Sequence, residues 1–535
     1  MPNGGGRSAL STDKSAFKQA TPFLIFCVIT MSIGELLFGL DASAFAQFQV
    51  LPSWLKVFGE RNAKGAYALS TDRKSLMTSV QWVGKLAGTI VVEPMVHRIG
   101  YKKTMYVMCA IQFVGCILEM ATSSWIVFSC GRVFQYLCIG IIENAGPTYA
   151  SETSPAALRA ACVSFLFIVQ GLGGVITSGI FQGISTSTNP NIWLVPAGIQ
   201  LIPGVIVLLS TPFIVESPRL LVAWGRKDAA AAALNKLRVR TTTSEQANAI
   251  EVEAIEQAIL EAKRLSSQGG WIELFRGTNL RRTMIAIWIF IFQQWTGQQF
   301  VTSYGPTFYT SVGRGSQAFI YTLIGGILHL VLGLPFAWAY DKVGRRPLLI
   351  YGTVIATIFL IIIGILGPKT NPSTAELNTV VASLMMFRFF ESFSLSQACW
   401  IIGPEIGSSI LRKKTMAIAT FVDVIAAFGV TYSSPYMLAA LGSRVAFVFT
   451  GISVFALIFS IFFVPETKGR SLEELDEMFE AKLWAWQFSR YETKGVGHAI
   501  AELEADKAGK DNLVLDVLGV HDDKNVPEHV EDSKV

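Results

Sequence analysis

Residues Thr21–Phe48 read TPFLIFCVITMSIGELLFGLDASAFAQF, an apolar run interrupted by Glu35 and Asp41. At about 1.5 Å of rise per helical residue, such a run crosses the roughly 30 Å hydrocarbon core of a bilayer. A polar tail of about 20 residues precedes it, no small-residue cleavage pattern follows it and it holds an aspartate, so it reads as a retained first span, 23–46, rather than a signal peptide. Working outward, about eleven further runs of this kind follow, near 76–96, 104–122, 125–149, 159–182, 192–214, 283–308, 317–340, 347–367, 378–403, 415–440 and 445–464. Composition agrees: 51% of the 535 residues are hydrophobic and 16% charged, against about 25% charged in soluble domains. The expected fold class is an all-α membrane protein.

The placement of positive charge predicts an orientation. The connectors after even-numbered spans carry HRIGYKK (97–103), Arg159, DKVGRR (341–346) and RKK (412–414), whereas 121–125 and 183–191 hold no Lys or Arg. Lysine and arginine accumulate on the cytoplasmic side, which puts both termini there. The connector 47–75 carries charges of both signs and reads as a folded external loop. A long linker, 216–282, divides the spans six and six. Within it, RKDAAAAALNKLR and SEQANAIEVEAIEQAILEAKRL predict short amphipathic helices on the cytoplasmic face. The organisation is then a tail (1–22), a six-helix bundle (23–215), the linker, a second six-helix bundle (283–464) and a C-terminal segment (465–535), polar and charged after 481. All seven cysteines (Cys27, Cys109, Cys116, Cys130, Cys138, Cys162 and Cys399) fall within spans, without CxxC pairs or metal-ligand spacing. They read as apolar packing residues, and no metal or cofactor is expected.

A repeat relates the halves. HRIGYKK follows span two and DKVGRRP follows span eight; PTYASETSPAALRA (147–160) follows span four and GPEIGSSILRKK (403–414) follows span ten. Matching six-span halves predict a substrate path at their interface, opened to alternate sides as they rock. These motifs, together with VESPRLL (215–221), Gly131-Arg132, QQWTG (293–297) and PETKGRSLEELDEMF (465–479), resemble in order and spacing the sugar porter family of the major facilitator superfamily, from about Phe38 to Phe479. Spellings such as SYGPTFY (303–309) resemble fungal members most. The resemblance implies the major facilitator fold, twelve transmembrane helices in two six-helix bundles, alternating access, and a plasma-membrane location. It also implies sugar binding by spans five, seven, eight, ten and eleven. Gln293 and Gln294 match amides that meet sugar hydroxyls, and Trp400 matches an indole that meets the apolar ring face. Phe167 stands where the family has glutamine, with Gln170 about a turn away; Gln299 replaces an asparagine, Ser396 and Gln397 a Gly-Pro pair, and Asp423 an amide. These departures suit a small oligosaccharide such as a disaccharide, or a phenolic or polyol substrate, as readily as a hexose such as glucose. A carrier of quinate-like acids or polyols on the same fold is a rival reading, and for an acid Arg388 is the cation in view.

A charged side chain at the centre of a span costs about 2.5 to 3.5 kcal/mol, so Asp41 requires a reason. In proton-coupled sugar porters the aspartate of an FGYD segment pairs with an arginine on span four; this sequence has FGLD with Asp41, and Arg132. The resemblance implies that Asp41 binds the transported proton while Arg132 favours its ionised form. The alternative is a pair that only joins two helices, in a facilitative uniporter. Glu35 lies about 600° of helix rotation from Asp41 and faces elsewhere, and Arg388 and Glu391 have the i, i+3 spacing of a pair. Asp341, Arg345, Arg346, Glu152, Arg159, Glu216, Arg219, Glu405, Arg412 and Glu466 match the family's cytoplasmic charge network. Each pair contributes only about 0 to 1 kcal/mol, but together they are expected to latch the inner side shut when the protein faces outward. No nucleophile elbow, phosphate loop or metal-ligand cluster appears, which argues against an enzyme. A transporter-like sugar receptor is the remaining rival. The expected partners are a small-molecule sugar, a proton and the lipid bilayer, with no nucleic acid.

Overall fold

A computed structural model describes residues 20–61, 65–155, 158–239, 244–408, 410–470 and 472–491; the side chains of 244–247, 262, 265–268, 334–338, 341, 472 and 473 lie outside that description. The tail beyond 491 therefore falls outside it as well. Eight helical stretches are long and apolar enough to cross a membrane: Pro22–Phe48, Thr71–Met120, Trp125–Thr153, Arg159–Ile184, Leu194–Phe213, Gly315–Gly333, Arg345–Leu366 and Arg412–Phe463. Two of them fold back, Thr71–Met120 at Gly100 and Arg412–Phe463 at Gly442, and so supply two crossings each. Two more crossings are broken helices: span seven is Gly277–Trp295 plus Gln298–Ser311, and span ten is Thr374–Glu391, Ser392–Ser396 and Gln397–Ile406. Among the described residues this makes twelve crossings, each on a run the sequence predicted.

The two breaks have local causes. Gly297 adopts φ 110°, a value open to glycine, and stops the first half of span seven. Ser392–Ser396 form a π-helix, which inserts one extra residue and turns everything beyond it relative to the start of the span.

The repeat reappears as a shared clamp. Span two meets span three at Gly100 (φ 87°, ψ 167°), and span eight meets span nine at Gly344 (φ 114°, ψ 164°), a backbone region essentially confined to glycine. After each glycine, two successive backbone N–H groups donate to one carboxylate. Tyr101 and Lys102 donate to Glu216 at 2.8 and 3.1 Å, and Arg345 and Arg346 to Glu466 at 3.1 and 3.2 Å. A second acid braces each turn. Glu152 accepts from Tyr101 Oη at 3.2 Å and Ser217 Oγ at 2.6 Å; Glu405 accepts from Arg345 at 3.2 Å and from Thr467. Burial pushes the Glu216 carboxyl up from its usual range, and the two amides with Lys102 and Lys103 pull against it.

A Cβ on Gly100 would sit 2.7 Å from Glu216 Oε1, and one on Gly344 2.6 Å from Glu466 Oε2. Gly100→Ala or Gly344→Ala is therefore expected to cost about 1 to 3 kcal/mol in backbone strain and to expel the carboxylate. Thermal unfolding of the purified protein reads this out, and an unchanged unfolding temperature in both variants would refute the clamp.

The linker forms the expected helices, Lys227–Leu237 and Ser244–Gln268. Arg238 ties them to the first half, donating to the Thr153 carbonyl at 2.7 Å and to Glu251 at 2.6 Å. The 47–75 connector is folded: a helix, Pro52–Phe58, precedes a two-residue hairpin, Glu60–Arg61 with Tyr67–Ala68. Trp54 and Phe58 pack there on Phe45, Phe48 and Phe128. One cysteine departs from expectation: Cys130 is exposed on span four instead of packed.

The halves touch unequally on the two sides. Three hydrogen bonds join them among the described residues: Gln49 to the Ser303 carbonyl (3.2 Å), Ser75 to the Tyr432 carbonyl (2.5 Å) and Tyr436 to Asp72 (2.7 Å). All three lie on the connector side, where Phe181 also stacks on Phe319. On the linker side no described hydrogen bond or ion pair links the halves. Among the described residues the bonds between the halves therefore lie on the connector side alone.

Candidate functional site

Span one brings Asp41 against Arg132 of span four, both 0% exposed. The guanidinium meets the carboxylate twice, at 3.2 and 3.3 Å. It also donates from Nε to Gln81 Oε1 at 2.7 Å and lies 4.1 Å from the Phe45 ring centroid. Such a bidentate pair supplies the offset that a buried acid needs. A third charged group shares the place. Glu119 of span three is buried, packs its Cγ where a Cβ on Gly131 would sit, and leaves Oε1 without a hydrogen bond. No ion pair or hydrogen bond joins Glu119 to Arg132 among the described residues.

Sequence reading missed Glu119, and also Gln81, Lys85 and Glu143. Lys85 of span two and Glu143 of span four pair at 2.8 Å, with the ammonium 5.0 Å from the Phe38 ring centroid and 5.2 Å from that of Trp82. The signal was present: each is a charged or amide side chain inside an apolar run, the criterion that singled out Asp41. Glu35 is fully buried with both carboxylate oxygens unbonded, beside Gly146 of span four.

The second half supplies amides and rings. Gln294 Nε2 donates to Asp423 of span eleven at 2.8 Å and to Gln293 Oε1 at 3.3 Å, leaving Gln294 Oε1 an open acceptor. One turn back, Phe290 meets Trp400 edge-on at 5.1 Å, and Trp400 is 45% exposed. Gln293, Gln294, Asp423 and Trp400 thus share one place, which abuts the first half where Val424 and Ala427 pack on Trp82 and Tyr136. Hydroxyl donors and acceptors beside an aromatic face suit a sugar ring. Gln299 lies beyond the Gly297 break and donates to Ser303 at 2.9 Å. Phe167 is half exposed on span five, and Gln170 turns its carbonyl to Gly39. No described hydrogen bond joins these three to the Gln294–Asp423 pair.

One expected pair does not form. Arg388 and Glu391 make no ion pair; Glu391 instead accepts from Ser396 Oγ at 3.2 Å. Ser396 is five residues on, the spacing a π-turn brings into register. At the linker side, the Asp341 side chain lies outside the described residues. Arg345, Arg346, Glu405 and Glu466 engage one another within the second half, and Glu152 and Glu216 bond within the first. Arg159, Arg219 and Arg412 are exposed and make no ion pair among the described residues.

Comparison with known proteins agrees with this geometry. The family described as Sugar (and other) transporter matches residues 26–479. The low-affinity glucose transporter HXT3 of Saccharomyces cerevisiae is 28% identical over 89% of this chain and 85% of its own. The xylose transporter XylE from E. coli, in its inward-open conformation, superposes with a TM-score of 0.70 at 22% identity, over 85% of this chain and 100% of that one. The same transporter, there called a proton:xylose symporter and bound to 6-bromo-6-deoxy-D-glucose, gives 0.68 at 22% identity over 85% and 99%. These superpositions establish the twelve-helix major facilitator fold, and the sequence relatives are transporters rather than enzymes.

Proposed function

Because this chain belongs to the sugar (and other) transporter family, we propose that it imports a sugar across the plasma membrane by alternating access, driven by a proton. Both termini are then cytoplasmic, the linker side faces the cytoplasm and the conformation described is inward-facing. Gln293, Gln294, Asp423 and Trp400 hold the sugar, with Phe167, Gln170 and Gln299 lining its path. Asp41 and Arg132 couple the proton. When Asp41 is protonated its hold on Arg132 weakens, and the first half is released to rock. The observation that carries the coupling is the fully buried Asp41–Arg132 pair, with a second buried acid, Glu119 of span three, packed against Gly131 next to it: the place holds more ionisable groups than a plain helix-joining ion pair needs. Glu152, Arg159, Glu216, Arg219, Asp341, Arg345, Arg346, Glu405, Arg412 and Glu466 form the cytoplasmic gate. In this state Arg345 and Glu405 pair within their own half and Arg159, Arg219 and Arg412 have no ion pair among the described residues; in the other state the gate's charges meet across the halves.

Uptake of labelled glucose, xylose, maltose, cellobiose and lactose, in cells lacking their own sugar carriers and with or without a protonophore, tests the reading. Accumulation of at least one sugar, abolished by the protonophore, is expected. Equilibrating uptake that ignores the protonophore would remove the coupling and leave a uniporter. No uptake despite surface expression would remove sugar transport itself.

A further inference from the structure

Between the halves, on the connector side, lies a second polar place that the sugar site does not include. Span one contributes Ser43; spans seven, eight and ten contribute Thr302, Tyr309, Tyr321, Thr322 and Arg388. Arg388 follows Thr374, the first residue of its helix, by about four turns, which puts its charge deep in the span, where an uncompensated cation is costly. Yet Arg388 has no ion pair and no hydrogen bond among the described residues: the nearest acid along its helix, Glu391, acts on it only at a distance and bonds Ser396 instead.

The surrounding hydroxyls cannot serve as its counter-charge. Thr302 and Thr322 donate to the carbonyls of Gln298 and Ala318 at 3.0 and 2.7 Å, and Tyr321 donates to Gln317. Tyr309, only 4% exposed, has no described partner for its hydroxyl. The cavity therefore presents unused donors, five N–H groups of the guanidinium and one phenol. What it lacks is an anionic acceptor with two oxygens.

We propose that the transported substrates include one that carries a carboxylate, as a sugar acid does, and that Arg388 and Tyr309 bind that carboxylate. This rests on the transport reading above and adds a substrate class to it. A planar guanidinium takes a carboxylate in two parallel hydrogen bonds. The remaining hydroxyls of the substrate face Gln293, Gln294 and Trp400, further toward the linker side. In the present state the cavity measures about 30 Å³, the share of roughly one water. The carboxylate is thus engaged when the halves part on the connector side, and it is released as Ser43 closes back on span seven. A carboxylate moving with one proton carries no net charge, so its accumulation follows the pH difference and not the membrane potential.

Labelled glucuronate and glucose, offered to cells lacking their own carriers, test this. Saturable glucuronate uptake is expected in the wild type, unchanged when the potential is clamped. Arg388→Gln, at equal surface amount, should lower glucuronate uptake at least about tenfold, the loss of a charged hydrogen bond, and Arg388→Lys should recover part of it. If Arg388→Gln fails to reach the surface, Tyr309→Phe, which removes no charge, should raise the glucuronate concentration for half-maximal uptake several-fold. Thermal stabilisation of the purified wild type by glucuronate is the direct binding readout. Uptake of glucose with no uptake of, or competition by, glucuronate, galacturonate or quinate would overturn the inference and leave sugar transport standing. Full glucuronate uptake by both Arg388→Gln and Tyr309→Phe would overturn the assigned residues. Transport of none of these compounds, at confirmed surface expression, would overturn the transport reading and this inference with it.

Discussion

Asp41→Asn is expected to turn an accumulating carrier into an equilibrating one. The substitution keeps the shape of the side chain and its carbonyl oxygen toward Arg132, but it removes the group that can take up a proton. For a neutral sugar, one proton entering down about 150 mV supplies about 3.5 kcal/mol, enough for accumulation of a few hundredfold; for a carboxylate substrate the pH difference supplies the drive. In either case the internal-to-external ratio should fall to about one, while exchange of labelled for unlabelled substrate across the membrane persists. Steady-state accumulation and counterflow, measured on the same cells, separate the two activities. Full accumulation by Asp41→Asn would make the Asp41–Arg132 pair a structural tie and move the proton elsewhere, with Glu119 the next group to replace.

Arg132→Leu should have the larger effect on the protein itself. It leaves Asp41 buried, with the guanidinium that bonded it gone and Gln81 deprived of two hydrogen bonds. Breaking a buried pair by removing one partner typically costs about 3 to 5 kcal/mol, a large part of the stability of a folded domain. Thermal unfolding in detergent and the surface amount in cells should both drop. The double substitution Asp41→Asn with Arg132→Gln removes both charges and should recover much of the stability without recovering accumulation. Wild-type stability in Arg132→Leu would mean that the cluster carries no net electrostatic weight.

Much of this could be read before the fold was seen. Crossing a bilayer demands long apolar runs, so the twelve spans are written as composition; the repeat is written as HRIGYKK and DKVGRRP, whose glycines proved to be the turning points. The meeting of Asp41 with Arg132 followed from the resemblance, which also pointed to Gln293, Gln294 and Trp400. What the sequence hid depended on partners and on breaks. Lys85 with Glu143, and Glu119 beside Gly131, are contacts between helices, which no spacing along one helix reveals. Arg388 and Glu391 form a pair on an ideal α-helix, but the π-turn from Ser392 to Ser396 gives Glu391 a different neighbour. The acids of the linker side likewise found hydrogen bonds within their own halves, in this state, because each glycine turn offers two free N–H groups close by.

The same pair of clamps has a mechanical consequence. Since Gly100 with Glu216 and Gly344 with Glu466 are built alike, each half is equally braced where its paired helices turn at the linker side. Spans one and four of the first half run unbroken from Pro22 to Phe48 and from Trp125 to Thr153, whereas spans seven and ten of the second are interrupted beside the amides and the indole. Equal bracing at the ends and unequal continuity in the middle make the first half a stiff lever and the second a jointed one. The proton works on the lever; the substrate works on the joints.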